Sequence, residues 1–130
     1  MKNINLFTHG GIFHADEVFA SVVLCSVFEK NYSEIKRVFC VPDDISDSDI
    51  VYDIGGGKFD HHQREGNGVR DNGIPYASAG LIWKRYGEYF LILQAADLSK
   101  NFWNPNWNTE NIKKLWKTVG QPTRLLNNRA

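Results

Sequence analysis

Apolar residues come in short bursts along this chain, separated by polar and glycine-marked turns. Ile4 to Thr8 is a brief apolar run stopped by Gly10-Gly11, the pattern of a buried strand. From Asp16 to about Lys30 the chain reads as a helix, opened by Asp16 or Ala15 and closed at Asn31. Val18, Phe19, Val22, Val23 and Phe28 can share a broad apolar face, which predicts burial against a sheet. Arg37 to Val41 is the next strand, and Ile50 to Ile54 another, ended by three glycines. Pro42 to Asp49 between them is a polar loop, and Lys58-Phe59-Asp60 adds a brief extended piece. Ser78 to Tyr86 is helical with Ser78 as its cap, and Tyr89 to Leu93 fits a strand or a helix. Phe102 to Trp107 is a turn with three aromatics, Glu110 to Val119 a short amphipathic helix, and 120–130 a polar tail expected to be flexible.

Strands alternating with helices predict an α/β fold, a Rossmann-like, mostly parallel sheet flanked by helices with right-handed crossovers. A length of 130 residues is that of a single domain, 1–130, with enough chain for a real core. No apolar run approaches the roughly 20 residues of a membrane span. Polar residues follow Met1 at once, so no signal peptide is expected. Cys25 and Cys40 lie in a helix-like and a strand-like apolar stretch and read as buried free thiols, which makes the cytoplasm the expected location.

Chemistry concentrates in the histidines. All four sit in two short clusters that also carry carboxylates: His9 and His14 with Asp16 and Glu17, and His61 and His62 with Asp53 and Asp60. Imidazole with carboxylate is a ligand set for Mn²⁺, Fe²⁺, Zn²⁺ and Co²⁺, and two such groups suggest more than one ion. His9 follows one predicted strand and Asp53 ends another, so both belong at the carboxyl edge of the sheet, where α/β folds bind ligands. Net charge is zero, yet residues 1–63 hold five Lys/Arg against ten Asp/Glu, and residues 64–130 ten against five. An acidic half would repel a phosphate ester unless cations neutralised it, and a basic half could receive one. Plain solvated surface explains the same asymmetry.

The chain then resembles a known group. Asp60-His61-His62 is the motif that names the DHH phosphoesterase superfamily, and Asp53 with His9…His14-Ala15-Asp16 fits its accompanying strand-end motifs. The closer resemblance is to the melanocyte-proliferating-gene (Myg) family of metal-dependent hydrolases. It is carried by Thr8 to Glu17, by Tyr52 to Gln63 and by Ser78-Ala79-Gly80-Leu81-Ile82-Trp83-Lys84-Arg85-Tyr86-Gly87, over about the first ninety residues. The resemblance implies a DHH-phosphoesterase-like domain with two divalent ions. His9, His14 and Asp53 would hold one, and Asp16, Asp53 and His61 the other, with Asp53 bridging. Asp60 would support His61 from behind, and His62 would face the phosphate and donate a hydrogen bond or a proton, which makes His62 and Asp53 the catalytic pair. Mixed nitrogen and oxygen ligands favour Mn²⁺, with Zn²⁺, Co²⁺, Fe²⁺ and Mg²⁺ open.

By the same resemblance the reaction is hydrolysis of RNA or short oligonucleotides by metal-activated water, of the 3′-5′ exonuclease type. Two alternatives stay open: a weak or inactive metal-binding domain that acts through a partner, and a small-molecule phosphatase or pyrophosphatase. The sequence departs from the family in being much shorter, so it reads equally as a truncated form, and in lacking the Asp-Asn-Gly context of a fourth motif. Asp97 is the candidate replacement ligand there, and a surface or capping role suits it as well. Lys58, Arg64 and Arg70 are candidate phosphate contacts or solvated charges. Asp43, Asp44, Asp47 and Asp49 miss the spacing of a calcium loop and read as solvent-facing. Trp103 and Trp107 could stack on bases, fill a core or serve self-association into a homo-oligomer.

Overall fold

The computed structural model describes residues 3–101, with side chains as far as residue 94. Three parallel strands form its sheet: β1 (Leu6–His9), β2 (Lys36–Val38) and β3 (Ile50–Val51), in the order β2-β1-β3. Phe7 pairs with Lys36 on one side and with Val51 on the other, so β1 is the central strand. Leu6, Phe7 and Thr8 are all buried, as a strand covered on both faces requires. Two helices, α1 (Ala15–Phe28) and α2 (Ser78–Asn101), pack on each other and close a core of Leu6, Val23, Leu24, Ile50, Tyr52, Phe59, Ile82 and Trp83. The fold is α/β, as the alternation of elements predicts. Among the described residues, no helix is long and apolar enough to cross a membrane.

Several boundaries differ from the sequence pattern, each for a local reason. β2 stops at Val38 because its partner has run out: the Gly10 N–H takes the Val38 carbonyl at 2.7 Å and β1 ends there. Phe39 and Cys40 therefore leave the sheet. Cys40 is exposed rather than buried, while Cys25 is buried as expected. β3 stops at Val51, and the extended piece expected near Phe59 returns as a parallel bridge between Tyr52 and Phe59. α1 has His14 as its N-cap, with the Glu17 carboxylate accepting the His14 N–H at 2.6 Å. It ends before Asn31, at Glu29, whose left-handed backbone lets the Lys30 N–H reach the Cys25 carbonyl at 2.9 Å. Its buried stripe is Glu17, Ala20, Ser21 and Leu24 with Val23 and Cys25. Val18, predicted on the buried face, is instead 42% exposed, since the buried stripe runs through Glu17, Ala20, Ser21 and Leu24.

α2 settles the ambiguous stretch from Tyr89 to Leu93 as helix, continuous from Ser78. Ser78 is the first helical residue and not a cap; its hydroxyl is used elsewhere, as shown below. The expected aromatic turn at Phe102 to Trp107, the helix at Glu110 to Val119 and the tail lie outside the described residues.

One loop carboxylate fastens the sheet. Asp49 accepts hydrogen bonds from the Asn5 backbone and side chain at 3.0 and 3.1 Å and from the Ser46 N–H at 3.0 Å, joining the entry of β1 to that of β3. The hydrogen bonds from Ser46 and Asn5 hold its carboxyl below the usual aspartate range. A depressed folded value means that this stabilisation is full above the unfolded value of about 3.9 and is lost as pH falls through the folded one. Asp49→Ala is expected to lower the melting temperature at pH 7 by about 5 °C. Thermal unfolding followed by circular dichroism should show the gap between wild type and variant closing as pH drops below about 4.

Candidate metal centre

The carboxyl ends of the strands deliver the acidic and imidazole side chains to one place. β1 ends in His9, and the following loop carries His14 to the start of α1. Tyr52 prolongs β3 to Asp53, which adopts a left-handed conformation (φ 58°) that aspartate tolerates better than most residues. That turn takes the Asp53 carboxylate out of the sheet direction while its N–H still bonds to the Phe59 carbonyl at 3.0 Å. The segment between them closes tightly. Gly55 has φ 86°, and a Cβ on it would lie 2.8 Å from a Val41 methyl, so both conformation and space call for glycine. The closed loop sets Asp60 beside Asp53.

Two groups of side chains result, each with ligand atoms within 4.8 Å of one another: His9, His14, Glu17 and Asp53; and Asp53, Asp60, His61 and His62. Asp53 belongs to both. In the first group His9 Nε2 stands 3.2 Å from an Asp53 oxygen and 3.4 Å from a Glu17 oxygen, both carboxylates being buried. His9 Nδ1 lies 3.0 Å from the Gly10 carbonyl, which can only accept, so Nδ1 carries a proton. Nε2 is buried and has no hydrogen-bond partner. A lone pair facing two carboxylates is repelled unless a proton or a cation sits among them. The residues present therefore fit a divalent ion on their chemistry. Glu17 is also tied to Arg37, both guanidinium Nη atoms lying 3.2 Å from its second oxygen.

In the second group Asp60 acts as a hub. One oxygen accepts the Gly56 N–H at 2.8 Å; the other accepts the His61 N–H at 2.8 Å and lies 2.6 Å from His62 Nδ1. Its carboxylate thus takes the ring of His62 and only the backbone of His61. Burial works to raise the Asp60 carboxyl, but the hydrogen bonds from Gly56 and His62 outweigh it and hold it below its ordinary value. The His61 ring is placed by others: Ser78 Oγ at 3.0 Å, Asp16 at 3.4 Å and Asp53 at 3.6 Å. The His61 and His62 rings stack with centroids 4.3 Å apart, and the His62 side chain is 60% exposed. Asp16 adds a structural duty, since one of its oxygens accepts the Ala79 N–H in the first turn of α2. Its carboxyl is pushed up, chiefly by burial and further by the negative charge of Asp53.

His9, His14, Asp16, Asp53, Asp60, His61 and His62 are thus brought together. Lys58 is exposed, with its ammonium 5.0 Å from the Phe59 ring centroid, and Arg64 is exposed. Asp97 falls on α2, where its side chain lies outside the described residues. Three participants escape a reading of the two clusters alone. Glu17 was visible as the last residue of the first cluster, but its turn back toward His9 was not. Arg37 and Ser78 carry no signal in their spacing; only the pairing of β1 with β2 and the docking of α2 bring them in.

Comparison with known proteins follows this geometry. The sequence profile of MYG1_exonuc, described as an uncharacterised protein family (UPF0160), matches residues 5–122. A MYG1 protein of Schizosaccharomyces pombe is 37% identical over 94 residues, 65% of this chain and 28% of that protein. The human MYG1 exonuclease is 35% identical over 97 residues, 65% of this chain and 26% of that protein. A MYG1 protein of Dictyostelium discoideum is 35% identical over 95 residues, 68% and 29% respectively. The chain thus spans under a third of the length of these curated relatives. No solved structure matches it significantly.

The loop geometry generates a prediction. Gly55→Ala places a Cβ in a left-handed conformation against Val41 and should cost about 1–2 kcal/mol. Urea unfolding reads that loss. A Mn²⁺ titration of the same variant should show weakened binding, because Asp53 and Asp60 sit at the two ends of the strained loop.

Proposed function

Because the chain belongs to the MYG1_exonuc family, UPF0160, we propose that it is a metal-dependent phosphodiesterase that cleaves RNA or short oligonucleotides. The observation that carries this reading is the bare Nε2 of His9 between two buried carboxylates. The name of the human relative, an exonuclease, supports a nucleic-acid substrate and a hydrolase that works from chain ends. His9, His14 and Asp53, with Glu17, would hold one divalent ion, and Asp53, His61 and Asp16 a second, Mn²⁺ being the best match to mixed nitrogen and oxygen donors. When bound, such ions acidify water and offset charge building on phosphorus.

The chain's own groups divide the remaining work. Asp60 fixes the His62 Nδ1–H and so turns the other ring nitrogen outward, where the exposed ring can hydrogen-bond a phosphate or give a proton to the leaving oxygen. Ser78 donates to Asp53 at 3.2 Å and its Oγ lies 3.0 Å from His61 Nδ1, so the shared carboxylate and one imidazole are positioned by the same hydroxyl. Arg37 pairs with one Glu17 oxygen and so leaves the other aimed at His9. Lys58 and Arg64, both exposed, would meet the backbone of a longer substrate. The unpaired thiols suit a reducing compartment such as the cytoplasm.

The test is a pair of measurements on protein freed of metal by chelation: Mn²⁺ binding by calorimetry, and cleavage of short RNA oligomers followed by gel. Asp53→Ala should lose both, and Glu17→Gln should weaken metal binding. His62→Gln should keep metal and lose about a hundredfold or more in rate. Metal binding without cleavage of RNA or pyrophosphate would replace this reading with that of a binding domain. Pyrophosphate cleavage without RNA cleavage would replace it with a pyrophosphatase, and failure to bind any divalent ion would discard all three.

A further inference from the structure

Beside the metal centre lies a cavity of about 560 Å³, which no residue of either ligand group lines. Its walls are Phe13, Val18, Val22, Tyr32 and Ile35, with Arg37 at one side and Ser33 as a further polar group. Phe13 and Tyr32 are 68% and 64% exposed, so these rings are not spent on the core. We propose that this cavity is a nucleobase subsite, which holds a base of the substrate while its phosphate reaches the metal centre. The inference rests on the phosphodiesterase reading above and names the part of the substrate which that reading leaves without a seat.

Position is the first argument. Phe13 is the immediate neighbour of His14, and Arg37 belongs to both places: it lines the cavity and pairs with Glu17, whose other oxygen faces His9. A ligand in the cavity is therefore one side chain away from the ligand groups. The second argument is chemical. Among the described residues that line the cavity, Arg37 carries the one charge, and that charge is already paired with Glu17, so the cavity is poorly suited to hold a phosphate. Its occupant is instead planar, apolar on its faces and hydrogen-bonding at its edges, as a base is. The Arg37 guanidinium already lies over the Phe13 ring, 3.9 Å from its centroid, a cation and an aromatic face that a flat base can join. The volume falls in the range of small-ligand sites, about 300–1,000 Å³. Stacking on phenyl and phenol faces accepts any base, so the subsite would be tolerant of sequence.

Calorimetry on the full chain with Mn²⁺ present tests this with two probes, AMP and ribose 5-phosphate, which share a phosphate and differ by the base. AMP should bind about tenfold or more tightly, and Phe13→Ala and Tyr32→Ala should each erase most of that advantage. Both residues are exposed, and unchanged circular dichroism confirms that the variants fold. Equal affinity for the two probes in the wild type, or variants that keep the full advantage of AMP, overturns the subsite and leaves the phosphoester reading standing. Binding of Mn²⁺ with neither probe bound removes both. No preference for AMP, together with a concentration-dependent dimer that Phe13→Ala disperses, overturns the inference in favour of a second copy of the chain covering the cavity.

Discussion

A histidine nitrogen that faces two buried carboxylates is the constraint on which this molecule turns. Burial favours neutral groups, and like charges at hydrogen-bond range repel, so Glu17, Asp53 and Asp16 cannot share a pocket without compensation. Part of it comes from Arg37, which crosses from β2 to Glu17, and part from dipoles: the Ser78 hydroxyl at Asp53 and the first turn of α2 at Asp16. What these leave unbalanced is the space around His9 Nε2, which is where the geometry asks for a cation. Arg37 arrives from β2, and the Ser78 hydroxyl and the Ala79 N–H both arrive from the start of α2, so the compensation depends on how β2 pairs and how α2 docks.

That arrangement depends on short strands. β1 is only four residues long and β3 two, so the sheet does little more than fix where three chain ends emerge. The loops do the aiming. Asp53 leaves the strand in a left-handed turn, Gly55 presses against Val41, and Asp60 receives three N–H groups from its own neighbourhood. Local backbone strain of this kind persists only where surrounding contacts hold it, and here the bridge from Tyr52 to Phe59 does so.

Much of this was legible in the sequence, though unevenly. The α/β alternation, the first strand, the long first helix and the strand at Ile50 follow from apolar periodicity, which reports burial. The early end of β2 was not legible, because a strand stops where its partner stops and that is a property of β1. The extent of α2 was hidden by apolar residues that suit either state, and the role of Ser78 by its resemblance to an ordinary cap. For the site, the histidines and aspartates stood out because their side chains are scarce and clustered. Arg37 and Ser78 did not, since long-range contacts leave no trace in local spacing. Glu17 lay in plain view but looked like first-turn helix chemistry, which it also is.

The double use of Asp16 has a consequence of its own. A carboxylate that caps α2 through Ala79 while facing His61 and Asp53 cannot be tuned for one duty without disturbing the other. The same holds for Glu17, which caps α1 and faces His9. At these positions one side chain holds a helix end and a ligand group together. A substitution at either position therefore disturbs a helix end and the geometry of the cluster in one stroke, whereas the exposed rim around His62 can change without unsettling a helix.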